Sequence, residues 1–211
     1  DLQYELTHVS DNILNEAVEE LKSAFNDFPS VYDVQDSFDN GKRQYDIIGE
    51  KLPSVTTILS ATQSEEKRKS LANWQARMGR QTADRIRDIS AMRGTSMHTY
   101  LEGYIKDERH LDLTALGQEA GRMANVVIKS GLGDLEEVWG TEVTLYYPGL
   151  YAGATDVVGI YNGRESIIDF KQTNKPKQRE WIGDYFTQLA AYAMAHNHIY
   201  DTQIQQGAIL M

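Results

Sequence analysis

Two carboxylates and one ammonium group follow each other at a spacing that suits metal-assisted chemistry on a phosphate. Asp156 ends a G-x-x-D run, and Asp169 and Lys171 form a D-x-K run that begins thirteen residues later. Residues two apart on a strand share a face, so Asp169 and Lys171 are expected together while Phe170 turns into the core. Carboxylates hold Mg²⁺ or Mn²⁺, which polarises a phosphoryl oxygen and activates water, and the lysine can orient that water or stabilise negative charge. The alternative is an ordinary surface ion pair.

A histidine offers a further ligand. His98 and Glu102 are four residues apart in a segment with helical spacing, so they share one helix face. Neutral imidazole is a common metal ligand, and a nearby carboxylate can hold its tautomer. The alternative is a packed or hydrogen-bonded histidine without a ligand role.

Three more polar residues can join such a site. Glu142 lies among apolar residues in the segment before Asp156 and offers a third carboxylate, although alternation alone equally predicts an exposed strand position. Gln188 and Tyr192 are four residues apart on a small, apolar helix face, which suggests contact with a substrate or with a water on a metal. The alternative is a glutamine at the edge of the core that pairs with a tyrosine.

The elements that carry these residues can be predicted from local pattern. Runs rich in Val, Ile, Thr and Tyr, separated by Pro148-Gly149 and Asn162-Gly163, predict three meandering strands over residues 138–147, 151–161 and 165–171. Asp156 then lies in one strand and Asp169 in its hairpin partner. A last strand is predicted over 205–211. Because the chain starts at Asp1 and that strand stops at Met211, we expect a trimmed form of a longer domain.

Helical periodicity surrounds these strands. It predicts an acidic helix over 11–25, a long basic helix over 65–90, and helices over 93–105, 114–130 and 179–197. Residues 27–50 suggest loop with a hairpin around 39–41, and residues 53–59 a short element with a Ser/Thr cap. This order predicts an α/β fold of the α+β kind, a mixed sheet flanked by helices with a helical N-terminal part.

Charge is distributed unevenly along the 211 residues. The formal net charge is −10, but residues 1–66 hold 14 acids and 4 bases and account for all of it. Residues 67–93 carry 8 Lys/Arg against 2 acids, a stripe that suits phosphate binding or, alternatively, a solvated helix face. There is no cysteine, which excludes disulfides and cysteine-held iron–sulfur clusters and suits an intracellular setting. No apolar stretch is long enough to predict a membrane span.

Five runs in order carry a family resemblance: Gly94 to His98, Glu142, Gly153 to Asp156, Asp169 to Lys171, and Gln188 to Tyr192. Together they resemble the RecB-like branch of the PD-(D/E)XK nucleases. Within that branch the chain looks most like the mitochondrial genome maintenance exonuclease group and its bacteriophage relatives. Residues 52–59 and 169–173 are similar to that group as well. The resemblance covers residues 52–211, a nuclease domain with a basic helical region over 65–130, and leaves an acidic segment of unknown role over 1–51.

The resemblance implies a role for each matching residue. His98, Asp156, Asp169 and the Phe170 carbonyl would hold one or two Mg²⁺ or Mn²⁺ ions, without an iron–sulfur cluster. Lys171 would be the catalytic lysine. Thr155 departs from the family by replacing the proline that names it. Catalytic roles would also fall on Glu142 and Gln188, and Tyr192 would line the site and contact DNA. A helical arch that threads single-stranded DNA would use Arg77, Arg80, Arg87, Arg93 and Trp74, although core packing is the alternative for Trp74.

The expected function is metal-dependent exonuclease activity on single-stranded DNA in replication, recombination or repair. Alternatives are an endonuclease of the same fold, a catalytically silent DNA-binding module, and a non-nuclease metal protein, which would leave Lys171 and the basic stripe unexplained. A monomer without membrane attachment is expected. Its location would be a bacterial or host cytoplasm for a phage protein, or the mitochondrial matrix for a eukaryotic one.

Overall fold

The computed structural model describes residues 4–5, 34–39, 42–47 and 50–211. The acidic helix predicted over 11–25 lies outside these residues. The chain divides into two compact units. The first unit combines residues 1–61 with 134–211, and the second unit consists of residues 62–133. Each unit is described by itself below. No helix in the described part of the chain combines the length and hydropathy that a bilayer crossing needs.

A five-stranded mixed sheet forms the centre of the first unit. In spatial order its strands are β1 (Tyr4–Glu5), β8 (Gln206–Leu210), β7 (Arg164–Phe170), β6 (Tyr151–Tyr161) and β5 (Leu135–Tyr147). Strands β5, β6 and β7 form an antiparallel meander, β8 runs parallel to β7, and β1 pairs antiparallel with β8. The predicted meander is therefore confirmed, with strand bounds shifted by up to three residues.

The turn between β6 and β7 explains why the meander could be predicted. Asn162 and Gly163 both have positive φ, 50° and 71°. Two such residues form the tight turn whose twist matches that of the flanking strands, and Asn-Gly is the pair that tolerates it best. Because the turn sets the pairing of Tyr161 with Arg164, it also sets which residues of β6 and β7 lie opposite each other further along the hairpin.

One helix, α5 (Gly183–Tyr200), connects β7 to β8 and contributes to the core of the first unit. Its buried face includes Leu189, Ala191 and Ala195, and the small alanine side chains allow close packing on the sheet. The buried Tyr151 hydroxyl donates a hydrogen bond of 2.9 Å to the Ala191 carbonyl. The helix is therefore held on the sheet by apolar packing and by a satisfied polar contact. A short 3-10 helix, Arg179–Trp181, precedes it.

A smaller antiparallel sheet completes the first unit. Its strands are β2 (Val34–Asp39), β3 (Lys42–Ile47) and β4 (Glu50–Pro53), and Asp39 pairs with Lys42 as the predicted hairpin around 39–41 requires. Helix α1 (Val55–Ala61) follows directly. The Ser54 hydroxyl accepts a hydrogen bond of 3.0 Å from the Thr57 amide, which confirms the predicted Ser/Thr cap.

The second unit is helical. It contains α2 (Glu65–Met78), α3 (Arg80–Ile105) and α4 (Ala115–Ser130), followed by a 3-10 helix, Leu132–Asp134, that begins in it. The predicted boundaries in this unit were partly wrong. The basic segment is not one helix over 65–90, because Gly79 breaks it with φ of 78°, a conformation that favours glycine. Helix α3 then continues through Gly94. A glycine inside a helix costs only about 1 kcal/mol relative to alanine, so Gly94 does not start a separate helix.

Candidate active site

The β6–β7 hairpin brings Asp156 and Asp169 together. Val157 pairs with Ile168, so the same register places Asp156 opposite Asp169, just beyond the last paired residues. There the Phe170 amide donates to the Asp156 carboxylate, with 2.6 Å between N and Oδ2. A side-chain oxygen thus takes the place of a backbone acceptor where the ladder ends, which holds the Asp156 carboxylate at the edge of the hairpin.

Glu142 lies on the other side of Asp156. In β5, Thr141 pairs with Val157 and Val143 pairs with Thr155, so Glu142 is opposite Asp156. Carboxylate oxygens of the two residues lie within 4.8 Å of each other. Adjacent strands therefore carry three carboxylates in one row, from Glu142 through Asp156 to Asp169.

The backbone at Glu142 is strained. Its φ is 50°, a left-handed conformation that a residue with a Cβ rarely adopts and that is unusual inside a strand. Such strain is kept where the surrounding structure imposes it, and it concentrates at functional sites. Glu142 is exposed, as the interpretation of an exposed strand position predicts, and its strained backbone beside Asp156 is compatible with the other interpretation, so its membership of the site stays a prediction.

Lys171 pairs with the buried acid. Its Nζ lies 2.5 Å from Asp169 Oδ2, and the Asp169 residue is 4% exposed. Burial lowers the lysine pKa and is the largest single influence, but the Asp169 and Asp156 carboxylates together outweigh it, so the pKa lies above its ordinary value. Lys171 is thus a protonated ammonium group that faces two carboxylates. The same Nζ lies 5.2 Å from the centre of the Tyr185 ring.

Helix α5 places Gln188 and Tyr192 beside the acids. Both are buried, and Gln188 Nε2 donates a hydrogen bond of 3.0 Å to the Tyr192 hydroxyl. Burial raises the Tyr192 pKa above its ordinary value, with Asp169 and Asp156 adding to the shift. The phenol therefore keeps its proton. A Cβ at Gly153 would lie 2.7 Å from Tyr192 Cε1, so the glycine of the G-x-x-D run provides the space that the tyrosine ring occupies.

The donor set determines what this site can hold. Three carboxylates in neighbouring strands repel each other, and one ammonium group offsets only part of their charge. A hard divalent cation prefers oxygen ligands and would offset the remainder. The residues present therefore fit Mg²⁺ or Mn²⁺.

The other predicted site residues lie in the second unit. His98 lies in the C-terminal half of α3 and is partly exposed. Trp74 is partly exposed, whereas Arg77, Arg80 and Arg87 project into solvent. Asp84 and Asp88 form exposed ion pairs with Arg87 at 3.1 and 3.2 Å.

Arg93 differs from the other predicted phosphate contacts. It is 8% exposed, and its Nη1 lies 2.6 Å from a Glu119 carboxylate oxygen within the second unit. This placement joins α3 to α4, and the predicted contact of Arg93 with DNA stays a prediction.

Sequence reasoning missed Tyr185, whose ring contacts the ammonium group of Lys171. A signal was available, because Tyr185, Gln188 and Tyr192 are spaced at i, i+3 and i+7 and therefore share one face of α5. The helix predicted over 179–197 contains Tyr185, whereas the sequence prediction of the site names only Gln188 and Tyr192 on that helix.

The chain is similar in sequence to known proteins. No protein-family model matches the chain. It is similar to proteins named mitochondrial genome maintenance exonuclease 1. The mouse (Mus musculus) protein is 29% identical over 168 residues, which cover 76% of this chain and 49% of the relative. The Xenopus tropicalis protein is 29% identical over 170 residues, and the Homo sapiens protein 28% identical over 173 residues. The chain spans about half the length of these curated relatives. The resemblance predicted from the motifs is thus confirmed along 76% of the chain, on a mixed α/β fold compatible with a nuclease core.

Proposed function

We propose that this chain is a metal-dependent deoxyribonuclease that hydrolyses phosphodiester bonds from the ends of single-stranded DNA. The observation that carries the proposal is the row of carboxylates at Glu142, Asp156 and Asp169, with Lys171 paired to the last of them. A protein that only bound DNA would gain nothing from acids beside a phosphate. The relatives are named exonucleases, which supports the choice of reaction.

The residues divide the work by their chemistry. Asp156, Asp169 and the Phe170 carbonyl would hold Mg²⁺ or Mn²⁺, with Glu142 beside them. When bound, the ion supplies Lewis-acid polarisation of the phosphate and makes a water molecule more acidic. Lys171 carries its positive charge next to the position of the reacting phosphate, where it can stabilise negative charge that develops during cleavage. Gln188 and Tyr192 supply neutral hydrogen-bonding groups that can orient the substrate.

His98 enters the proposal from its sequence motif alone. We propose it as a further ligand, and imidazole as a ligand favours Mn²⁺ over Mg²⁺. In His98→Ala we therefore expect weaker Mn²⁺ binding, or a shift of the activity ratio towards Mg²⁺. Bond-length contact between His98 and Mn²⁺ can be tested directly by anomalous scattering from a soaked crystal.

The second unit is proposed to hold the DNA. Arg77, Arg80 and Arg87 are exposed on two helices with 8 Lys/Arg in residues 67–93, and exposed cations neutralise phosphates without regard to base sequence. Trp74 can add a stacking surface for a base. If the strand must thread from an end, as the family resemblance implies, a closed circle is a poor substrate.

One assay tests the proposal. End-labelled linear single-stranded DNA, a duplex, and circular single-stranded DNA of the same sequence are incubated with Mg²⁺, Mn²⁺ or EDTA. We expect progressive shortening of the linear strand with either metal, no reaction in EDTA, and survival of the circle. Rapid cutting of the circle would show that the activity is endonucleolytic, because a closed circle has no end. Tight binding without cutting under every metal condition would instead indicate a silent DNA-binding module.

A further inference from the structure

The chain directly after Lys171 concentrates positive charge in the first unit. Residues 134–211 contain ten Asp/Glu and five Lys/Arg, and four of those five bases lie between 171 and 179. The acids are depleted in the same place, because Glu180 is the one acid in residues 170–183. Residues 172–181 are called the post-lysine segment here. Its basic residues are Lys175, Lys177 and Arg179, so it is a basic stretch within an otherwise acidic part of the chain.

The post-lysine segment starts and finishes close to the site. It begins beside Lys171, whose ammonium group contacts Asp169. It ends at the start of α5, where Tyr185 contacts the same ammonium group. Lys175 is four residues from Lys171, so their Cα atoms are at most about 14 Å apart. A strand whose reacting phosphate lies at the carboxylates therefore has neighbouring phosphates within reach of this segment.

The segment is shaped by local contacts, and two of its three basic side chains, Lys175 and Arg179, are exposed while Lys177 is partly exposed. The Thr173 hydroxyl donates a hydrogen bond of 2.5 Å to the Lys175 carbonyl, which forms a tight turn. The Arg179 guanidinium lies 5.9 Å from the centre of the Phe186 ring in α5 and remains exposed. Lys175 is exposed as well. These contacts order the backbone of the segment before any ligand binds, which reduces the entropy that the segment loses on binding.

An exposed tryptophan completes the segment. Trp181 is 57% exposed, although tryptophan is usually mostly buried. Nucleic-acid bases stack on such rings whatever their identity, and basic grooves with interspersed aromatic rings are typical of single-strand binding. Trp181 lies two residues after Arg179, so a phosphate contact and a base contact are available side by side.

We propose that the post-lysine segment is a second DNA-binding element, in which Lys175, Lys177 and Arg179 bind phosphates next to the cleaved bond and Trp181 stacks on a base of the same single strand. The inference rests on the proposed nuclease function. It differs from the helical contacts, because this element belongs to the first unit and is continuous in sequence with Lys171 and with α5.

The test is equilibrium binding of fluorescently labelled single-stranded DNA to the whole chain in EDTA, over a range of salt concentrations. The variant Lys175→Gln, Lys177→Gln, Arg179→Gln is compared with Arg43→Gln, Lys51→Gln, Arg164→Gln, a control with the same charge change at exposed positions of the first unit. The salt slope is the change in the logarithm of the binding constant per log unit of salt concentration. Loss of three single-strand contacts should reduce its magnitude by about 2. The control variant should keep the wild-type slope. Equal slopes in the two variants would overturn the proposal.

Trp181 gives an independent readout. Trp181→Ala should weaken binding by about 5- to 140-fold, while Trp181→Phe should recover much of that loss because its ring still stacks. The quenching of tryptophan fluorescence that DNA causes should decrease strongly in Trp181→Phe. Unchanged quenching would exclude stacking on Trp181. If the wild-type chain neither binds nor cuts DNA, the proposed function itself is wrong. If the wild type binds and cuts DNA and the segment variants bind DNA equally well, only the inference about the post-lysine segment is wrong.

Discussion

The two units place their charges in opposite ways. In the first unit, acids and a lysine are held in a row across adjacent strands, with Asp169 almost fully buried and in contact with Lys171. In the second unit, arginines extend from two helices into water, and the Arg80 side chain is 97% exposed. One unit therefore holds charge in fixed positions, and the other distributes it over a surface.

This difference indicates which task each arrangement can perform. Chemistry on a phosphate depends on groups held in place before the substrate arrives, because an ordered, poorly solvated site gives charges their full effect. Holding a DNA strand depends on the number of cations more than on their exact positions, because neutralised phosphates release counterions one by one. A single substitution in the row of carboxylates should therefore reduce cleavage strongly, whereas each substitution on the helices should weaken DNA binding by a small amount.

The largest effect is expected from the acids. Asp156→Asn and Asp169→Asn should each lower cleavage by more than about 1000-fold, because each removes a charged oxygen ligand while keeping the side-chain volume. Mn²⁺ affinity, measured by calorimetry, should fall in parallel. Glu165→Gln is a matched control, because Glu165 is an exposed carboxylate on β7, the strand that also carries Asp169. Near wild-type cleavage in both Asp variants would show that the row is not the catalytic site.

Substitution of Lys171 should lower the turnover rate without lowering the affinity for metal. Lys171→Met should lower kcat by about 100- to 1000-fold, since it removes a charge beside the reacting phosphate. Its Mn²⁺ affinity should not fall, because an ammonium group is no ligand for a cation and repels it. Single-turnover kinetics and calorimetry on the same preparation measure the two quantities. A loss of metal affinity equal to that of Asp169→Asn would contradict the separate role of the lysine.

Gly153 tests whether the site depends on packing from α5. In Gly153→Ala the new Cβ would lie 2.7 Å from a Tyr192 ring carbon, so the ring must move. We expect a loss of about 1–3 kcal/mol in the free energy of unfolding, together with reduced cleavage. Gly183→Ala is the control, because nothing lies within 4 Å of a Cβ there. Chemical denaturation of both variants measures the difference, and equal stability would mean that Tyr192 is free to shift.

The smallest effect per residue is expected on the helices. Arg77→Ala, Arg80→Ala and Arg87→Ala combined should raise KM and reduce the salt slope of binding by up to about 2 log units per log unit of salt, with kcat little changed. Arg87 already pairs with two acids, so its share should be the smallest. Arg109→Ala, Arg122→Ala and Lys129→Ala form a control in the same unit. The same slope in both triple variants would mean that residues 67–93 form a solvated helix face without a specific role in DNA binding.

Much of the site could be predicted because its signals are local. The hairpin follows from alternating β-branched residues and the Asn162-Gly163 turn, and that hairpin alone places Asp156 opposite Asp169. The pairing of Lys171 with Asp169 follows from their spacing of two. The capped start of α4 at Thr114, whose hydroxyl accepts from the Gly117 amide, is equally local.

The sequence by itself determined the candidate site residues and the order of strands and helices that carry them, since these depend on neighbours a few positions away. Tertiary structure alone decided two further points. It placed Glu142 opposite Asp156 with positive φ, and it buried Arg93 against Glu119. Each of these depends on contacts or packing between segments that are distant in sequence, and no local periodicity contains that information.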